Sequence, residues 1–261
     1  MTTSLPDFSG ITEMAGDPAS GEQIERMYAR YHWAASHARG ADVLEVACGS
    51  GQGLGYLART AKRVVGADVT QSLVDAAVRH YGNRLEIRCF NAEEIPYPDA
   101  SFDVILIFEA IYYVRDVQRF LREARRVLRP GGTLLIATAN KDLFDFTPSP
   151  HSVAYYGVVE LRDMLGANGF DVRFFGNTPI TQVSGWQRVL RPVKLFVTRS
   201  GLMPKSKRMK AVLKRIVFGA IHPLPAEVLP DHPPCAAPTA LAGDVPDRGH
   251  KVLFVEATRR P

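Results

Sequence analysis

Short apolar runs and helical patterns take turns along most of this chain, and that alternation limits its possible folds more than any other feature. DVLEVAC (42–48), RVVGADV (63–69), LEIRCF (85–90), FDVILIF (102–108), TLLIATA (133–139) and FDVRFFG (170–176) read as strands. Between them, GLGYLARTA (53–61), QSLVDAAVRHY (71–81), VQRFLREARRVL (117–128) and VVELRDMLGANG (158–169) carry helical spacing. Strands separated by helices imply a mostly parallel sheet with helices on both faces. A last apolar run, KVLFVEA (251–257), follows a long stretch that breaks the pattern. The expected organisation is an N-terminal arm and helix (1–40), an α/β core (41–180), a basic helical and proline-rich insertion (181–249) and a final core strand (250–261). Residues 1–19 are expected to form a loose arm. HPLPAEVLPDHPPCAAP (222–238) is expected to cross the surface as an extended loop.

With 261 residues the chain has room for one large α/β domain. Its start, MTTSLPDFSG, lacks the basic region and apolar core of a secretory signal. The run VILIF (104–108) is far too short to cross a bilayer. Three widely spaced cysteines, with no CxxC pair and no metal-ligand pattern, fit a reducing cytoplasm and no metal site. Charge is uneven: residues 1–180 hold 18 basic and 22 acidic side chains, and residues 181–261 hold 14 and 5. In KRMKAVLKRIVFGAI (207–221) the apolar and basic positions separate onto two helical faces. Such a helix either packs on the domain with a solvated basic face or docks on an anionic surface, such as a membrane, or on a phosphate-bearing substrate. No RNA-binding module or stacking platform is visible, so nucleic acid is not an expected partner.

Four glycines crowd EVACGSGQGLG (45–55), at the junction of a strand and a helix. A phosphate-cradling P-loop would need a lysine that is missing here. A dinucleotide fingerprint would need a glycine where Leu54 stands. The spacing that remains is E-x-A-x-G-x-G-x-G. Asp68 ends the next strand, 19 residues after Gly49, where a carboxylate can accept both hydroxyls of a ribose. Downstream come FNAEEIPYPDASFDVILIFEAIYYV (90–114) and RVLRPGGTLLIAT (126–138), in which PGG ends a helix and turns into a strand.

This ordered set resembles the class I S-adenosylmethionine (SAM)-dependent methyltransferases, of the type 11 kind, over about residues 35–180 and the last strand. The resemblance implies a Rossmann-like, doubly wound seven-stranded sheet with its last strand antiparallel. It implies SAM as cofactor, with Glu45, Ala47, Gly49, Ser50 and Gly51 against its methionine and ribose. Asp68 and Val69 would meet the ribose, and Asn91, Ala92 and Glu93 the adenine. Phe108 and Glu109 would lie beside the transferable methyl. From the first helix Tyr31 would cover the donor and bind its carboxylate, with Tyr28, Arg30 and His32 as alternatives.

Methyl transfer from a sulfonium needs alignment and exclusion of water, and a base only where the nucleophile arrives protonated. The candidate catalytic residues are Glu109, Tyr113 and His151. Tyr112, Asn140, Tyr155 and Tyr156 are further candidates for the acceptor side. Each also has a structural reading: a helix-start carboxylate for Glu109, a surface histidine for His151, core packing for the tyrosines. EVACGSGQGLGYLA, FEAIYYV and NKDLFDFTPSPHS resemble methyltransferases of surface polysaccharide or glycan assembly. The expected acceptor is therefore a hydroxyl, or an amine, of a small sugar or glycan intermediate, carried on a nucleotide or a lipid. The alternatives are a natural-product or quinone O- or C-methyltransferase and a SAM- or nucleotide-binding protein without transfer. A nicotinamide dehydrogenase is disfavoured by Leu54.

Overall fold

The computed structural model describes residues 7–180, 221–232 and 235–261. Among the described residues, ten strands and five α-helices follow in chain order. The sequence from the start to the middle is β1 (Pro18–Ser20), α1 (Gly21–Ala38), β2 (Asp42–Val46), α2 (Leu54–Ala58), β3 (Arg63–Asp68), α3 (Gln71–Tyr81), β4 (Glu86–Cys89) and β5 (Phe102–Phe108). It continues with α4 (Val117–Val127), β6 (Leu128–Ala139), α5 (Val158–Ala167), β7 (Phe170–Pro179), β8 (Ile221–Pro223), β9 (Thr239–Leu241) and β10 (His250–Arg259).

One sheet has the order β4-β3-β2-β5-β6-β10-β7-β9. β4, β3, β2, β5 and β6 run parallel, and β10 inserts antiparallel between β6 and β7. The sheet therefore has eight strands where the resemblance implied seven. The extra one is the three-residue β9, which pairs antiparallel with Phe174–Gly176 at the edge. From β2 the chain first builds outward through β3 and β4, then returns to add β5 on the other side. The carboxyl ends of β2 and β5 thus flank a topological switch point, where open α/β sheets hold their ligands.

Strand alternation sends side chains to two cores. Ile105 and Ile107 of β5, with Leu134 and Ile136 of β6, meet Phe120 and Leu121 of α4 and Leu161 and Leu165 of α5. Leu106, Phe108 and Leu135 face the other way, onto Tyr31 and Ala34 of α1 and Leu54 and Leu57 of α2. Helix α1 starts on a capping box, in which Ser20 Oγ accepts from Gln23 N (3.3 Å) and Gln23 Oε1 accepts from Ser20 N (2.9 Å).

Three local expectations change. The PGG of 130–132 lies inside β6 as a bulge: Phe102 pairs with Leu128 but Val104 already pairs with Thr133. Residues 8–14 are not loose, because Phe8 N donates to Thr70 Oγ1 (3.0 Å) and the Phe8 ring rests 5.4 Å from that of Tyr113. Nor does the proline-rich stretch run free over the surface. β8 pairs with β1, Leu224 and Val228 are buried, and Leu224 exchanges backbone hydrogen bonds with Gly16 and Asp17. Of the helix expected over 207–221 only Ile221 is described, and it opens β8; the rest of that basic pattern lies outside the described residues. Among the described residues no helix is long and apolar enough to cross a membrane.

Candidate active site

A cavity of about 440 Å³ opens at the carboxyl ends of β2, β3 and β5. Its floor is the glycine loop and strand ends: Glu45, Ala47, Gly49, Asp68, Phe108 and Glu109. Val69, Asn91, Ala92 and Glu93 form one wall, and Tyr112 and Tyr113 another. The roof comes from the arm (Phe8, Ile11, Thr12) and from Arg26, Arg30 and Tyr31 of α1.

Two strand ends carry non-glycine residues in the left-handed region, Ala47 (φ 53°) and Glu109 (φ 51°). They stand on β2 and β5, at the switch point. Such backbone costs about 1–3 kcal/mol and persists where the surroundings fix it. For Glu109 the fixing contact is its N–H, which donates to Ala137 O at 2.7 Å. The carboxylate then faces the cavity, and Oε2 accepts from the Tyr112 hydroxyl at 3.2 Å.

Gly53 is a glycine because of Tyr31. A Cβ there would stand 1.9 Å from Tyr31 Cε1. With the ring seated on the loop, the Tyr31 hydroxyl donates to Glu45 Oε1 at 2.6 Å. Burial pushes the Glu45 carboxyl up to about 7, against the opposing pull of the Tyr31 hydrogen bond and the Arg30 charge. Its other oxygen, Oε2, is buried with no partner. Arg30 Nε is in the same condition. Burial would lower the Arg30 pKa, but Tyr31, Glu109, Glu45 and Glu13 more than offset it, so the guanidinium stays charged. One cavity thus holds an orphaned carboxylate oxygen and an orphaned guanidinium nitrogen. A carboxylate and a guanidinium in one cavity have the charges to receive a zwitterionic group, an ammonium at the first and a carboxylate at the second.

Asp68 is buried at the end of β3. Oδ2 accepts from Gly49 N (2.9 Å) and Oδ1 from Thr70 N (2.8 Å). Burial raises its pKa while these N–H groups pull it down. A carboxylate has about four acceptor positions, so two remain for a diol. Beyond it, Asn91 Oδ1 accepts from Glu93 N (3.0 Å), which closes the turn. Glu93 Oε1 accepts from Arg115 N and Asp116 N and so fixes the approach to α4.

Most of the residues expected at a SAM site therefore share one cavity. Ser50, Gly51 and His151 do not line it. His151 is exposed on a turn that Ser152 closes onto Ser149 O, so it is not brought to Glu109. Asn140 is spent holding the loop before β10, donating to Asp247 and to His250 O. Tyr155 stacks behind Tyr112 (4.5 Å) rather than facing the cavity, and Tyr156 packs on the core. Tyr28 stacks on His232, and its hydroxyl accepts from Leu229 N; His32 meets Tyr56 at the surface. The arm residues Phe8, Ile11 and Thr12 were not foreseen, since nothing periodic marks them. Among the described residues no cluster of metal ligands occurs.

A doubly wound sheet whose switch-point cavity is lined by a glycine loop and a buried strand-end carboxylate has the build of a SAM-binding fold, and the family comparison agrees. The methyltransferase domain family matches residues 44–136. A probable SAM-dependent methyltransferase of Mycolicibacterium smegmatis is 39% identical over 176 residues, covering 65% of this chain and 68% of that protein. The chain belongs to the SAM-dependent methyltransferases, and its cofactor is SAM. A ubiquinone biosynthesis O-methyltransferase of Mesorhizobium japonicum is 33% identical over 125 residues, 47% of this chain and half the length of that relative. Among solved structures, the YcgJ protein of Bacillus subtilis superposes with a TM-score of 0.57 at 19% identity, covering 89% of this chain and 98% of that one. At that identity the likeness is one of fold.

Proposed function

We propose that the protein methylates a hydroxyl of a small-molecule acceptor, with Glu109 taking the hydroxyl proton. When bound, SAM supplies a methyl group on a positively charged sulfur. Asp68 holds the ribose hydroxyls, with Val69 beside it, and Asn91, Ala92 and Glu93 flank the adenine. Arg30 takes the carboxylate of the donor's methionine end and Glu45 its ammonium. In this assignment Tyr31 acts through Glu45 rather than on the donor carboxylate. As the new C–O bond forms and the C–S bond breaks, the hydroxyl proton passes to the Glu109 carboxylate. The observation that carries this reading is the Glu109 carboxylate itself, locked in a left-handed backbone beside Tyr112 in the donor's own cavity. Phe8 and Tyr113 exclude water on that side.

The sequence resemblance to glycan-assembly enzymes favours a sugar hydroxyl, on a nucleotide or a lipid carrier. The basic pattern at 207–221 fits a lipid carrier, through peripheral contact with an anionic membrane at the cytoplasmic face. A second reading, a phenolic or quinol hydroxyl, draws support from the aromatic wall of Phe8, Tyr112 and Tyr113. The test is transfer of labelled methyl from SAM to sugar nucleotides, to lipid-linked sugars in anionic vesicles, and to phenols and quinols. Labelled sugar supports the first reading and labelled phenol the second. Transfer confined to amines would remove the need for Glu109 as base.

The donor assignment makes binding pH-dependent. An ammonium beside Glu45 demands the ionised carboxylate, and that fraction falls about tenfold per pH unit below a pKa near 7. Affinity for S-adenosylhomocysteine (SAH) should therefore fall as pH drops from 7 to 5.5, with about one proton released per ligand bound at pH 6. Without ligand the sign reverses. Glu45 contributes stability below its ordinary range and loses it as pH rises through about 7. Calorimetry in buffers of different ionisation enthalpy reads the proton; pH-independent binding would remove Glu45 from the ammonium site.

A further inference from the structure

We propose that Tyr81 is a positioning residue for the donor, bracing the glycine loop from outside the cavity. The inference rests on the assignment of this loop to SAM and not on the acceptor. Tyr81 is the last residue of α3, is 2% exposed, and does not line the cavity. Its hydroxyl donates to Gly51 O at 2.7 Å and accepts from Gly55 N at 3.1 Å. These two backbone groups lie at the turn into α2, where helix geometry leaves N–H groups without partners. In a dinucleotide site a pyrophosphate takes such first-turn N–H groups. Here a neutral side chain of the protein takes one, which suits a phosphate-free donor. The ring also lies against the loop, because a Cβ at Gly51 would stand 3.1 Å from Tyr81 Cε2.

The same end of α3 holds a second brace. His80 Nε2 meets Glu227 Oε2 at 3.0 Å, and Arg84 meets the same oxygen at 3.5 Å. Glu227 is pressed against Gly55, where a Cβ would stand 1.9 Å from its Oε1. One residue on, Val228 N donates to Gln52 O at 2.7 Å, and Gln52 Nε2 returns a bond to Pro225 O at 3.2 Å. Gln52 does line the cavity. The loop is thus pinned at 51 and 55 by Tyr81 and at 52 by the segment 225–228, which Tyr81's neighbours hold down. Loop placement to a fraction of an ångström governs how well its backbone meets the donor.

Tyr81→Phe keeps the ring and removes only the hydroxyl. It should weaken SAH binding about tenfold, and raise KM for SAM in proportion with kcat at saturating donor unchanged. Phe170→Leu, a fully buried change on the opposite core face, serves as the stability control. At a temperature where both variants are folded it should leave SAH affinity within twofold of wild type. Glu227→Ala, at a partly exposed site, should weaken SAH about threefold and keeps the test open if Tyr81→Phe fails to fold. Wild-type affinity in Tyr81→Phe, or an equal loss in Phe170→Leu, would overturn the proposal. If the unaltered protein bound no SAH, the donor assignment would fall, and the brace with it.

Discussion

Glu109→Gln is expected to slow methyl transfer roughly 10²–10⁴-fold, the usual contribution of a positioned general base, while SAH binds as before. Glutamine keeps the length and shape of the side chain and can still accept from the Tyr112 hydroxyl, so packing beside Tyr112 survives. It cannot take a proton. The backbone N–H to Ala137 O that fixes the strained turn is untouched. Arg30 keeps Glu45 and Glu13 as carboxylate neighbours, so the methionine end of the site is little disturbed. A variant that transfers methyl within threefold of wild type at every pH would show that the acceptor arrives without a proton to lose. Tyr112→Phe gives the companion measurement. Burial holds that hydroxyl far above the range in which it could act as a base, so its loss should cost much less than that of Glu109.

The parts of the fold that could be read from the chain are those with a short-range signature. β2, the glycine loop and Asp68 follow from apolar period, glycine spacing and one carboxylate at a strand end. Their arrangement at the switch point follows from strand order alone. The roof of the cavity left no such trace. Residues 1–19 carry Gly, Pro and scattered polar residues and read as a loose arm, yet Phe8 reaches Thr70, 62 residues away. HPLPAEVLP reads as surface chain because prolines remove periodicity. Leu224 and Val228 are nevertheless buried, and backbone hydrogen bonds to Gly16, Asp17 and Gln52 tie the segment between β1 and the glycine loop. Contacts between segments that far apart have no local signal. The choice between Arg30 and Tyr31 was hidden for a different reason. Both face the cavity from neighbouring positions of α1, and only the 2.6 Å bond to Glu45 shows that the tyrosine hydroxyl is already engaged. Likewise, His151 and Asn140 have suitable chemistry in the right stretch of chain, but a turn and a backbone-binding amide take them elsewhere.

Asp68→Ala should weaken SAH by roughly ten- to a hundredfold, since a charge-assisted hydrogen bond of about 1.5–3 kcal/mol is lost. That figure alone would not identify Asp68 as the ribose ligand. Its carboxylate also holds Gly49 N and Thr70 N, and removing it leaves two buried N–H groups without a partner. Part of any loss would then come from a displaced glycine loop, and the melting temperature should fall as well. Asparagine does not separate the two effects, because its NH₂ would face one of those N–H donors. A ligand change does. An SAH analogue lacking both ribose hydroxyls loses the diol contact but still meets the same loop. If Asp68 acts through the diol, the analogue binds the wild type more weakly than SAH does by the diol contact alone, a smaller loss than SAH suffers in Asp68→Ala, where loop support goes too. In Asp68→Ala it should then lose little more. The coupling in this cycle isolates the diol contact from loop support, which is common to both ligands. Additive losses, with the analogue weakened equally in both proteins, would mean that Asp68 only shapes the loop and that the ribose is held elsewhere.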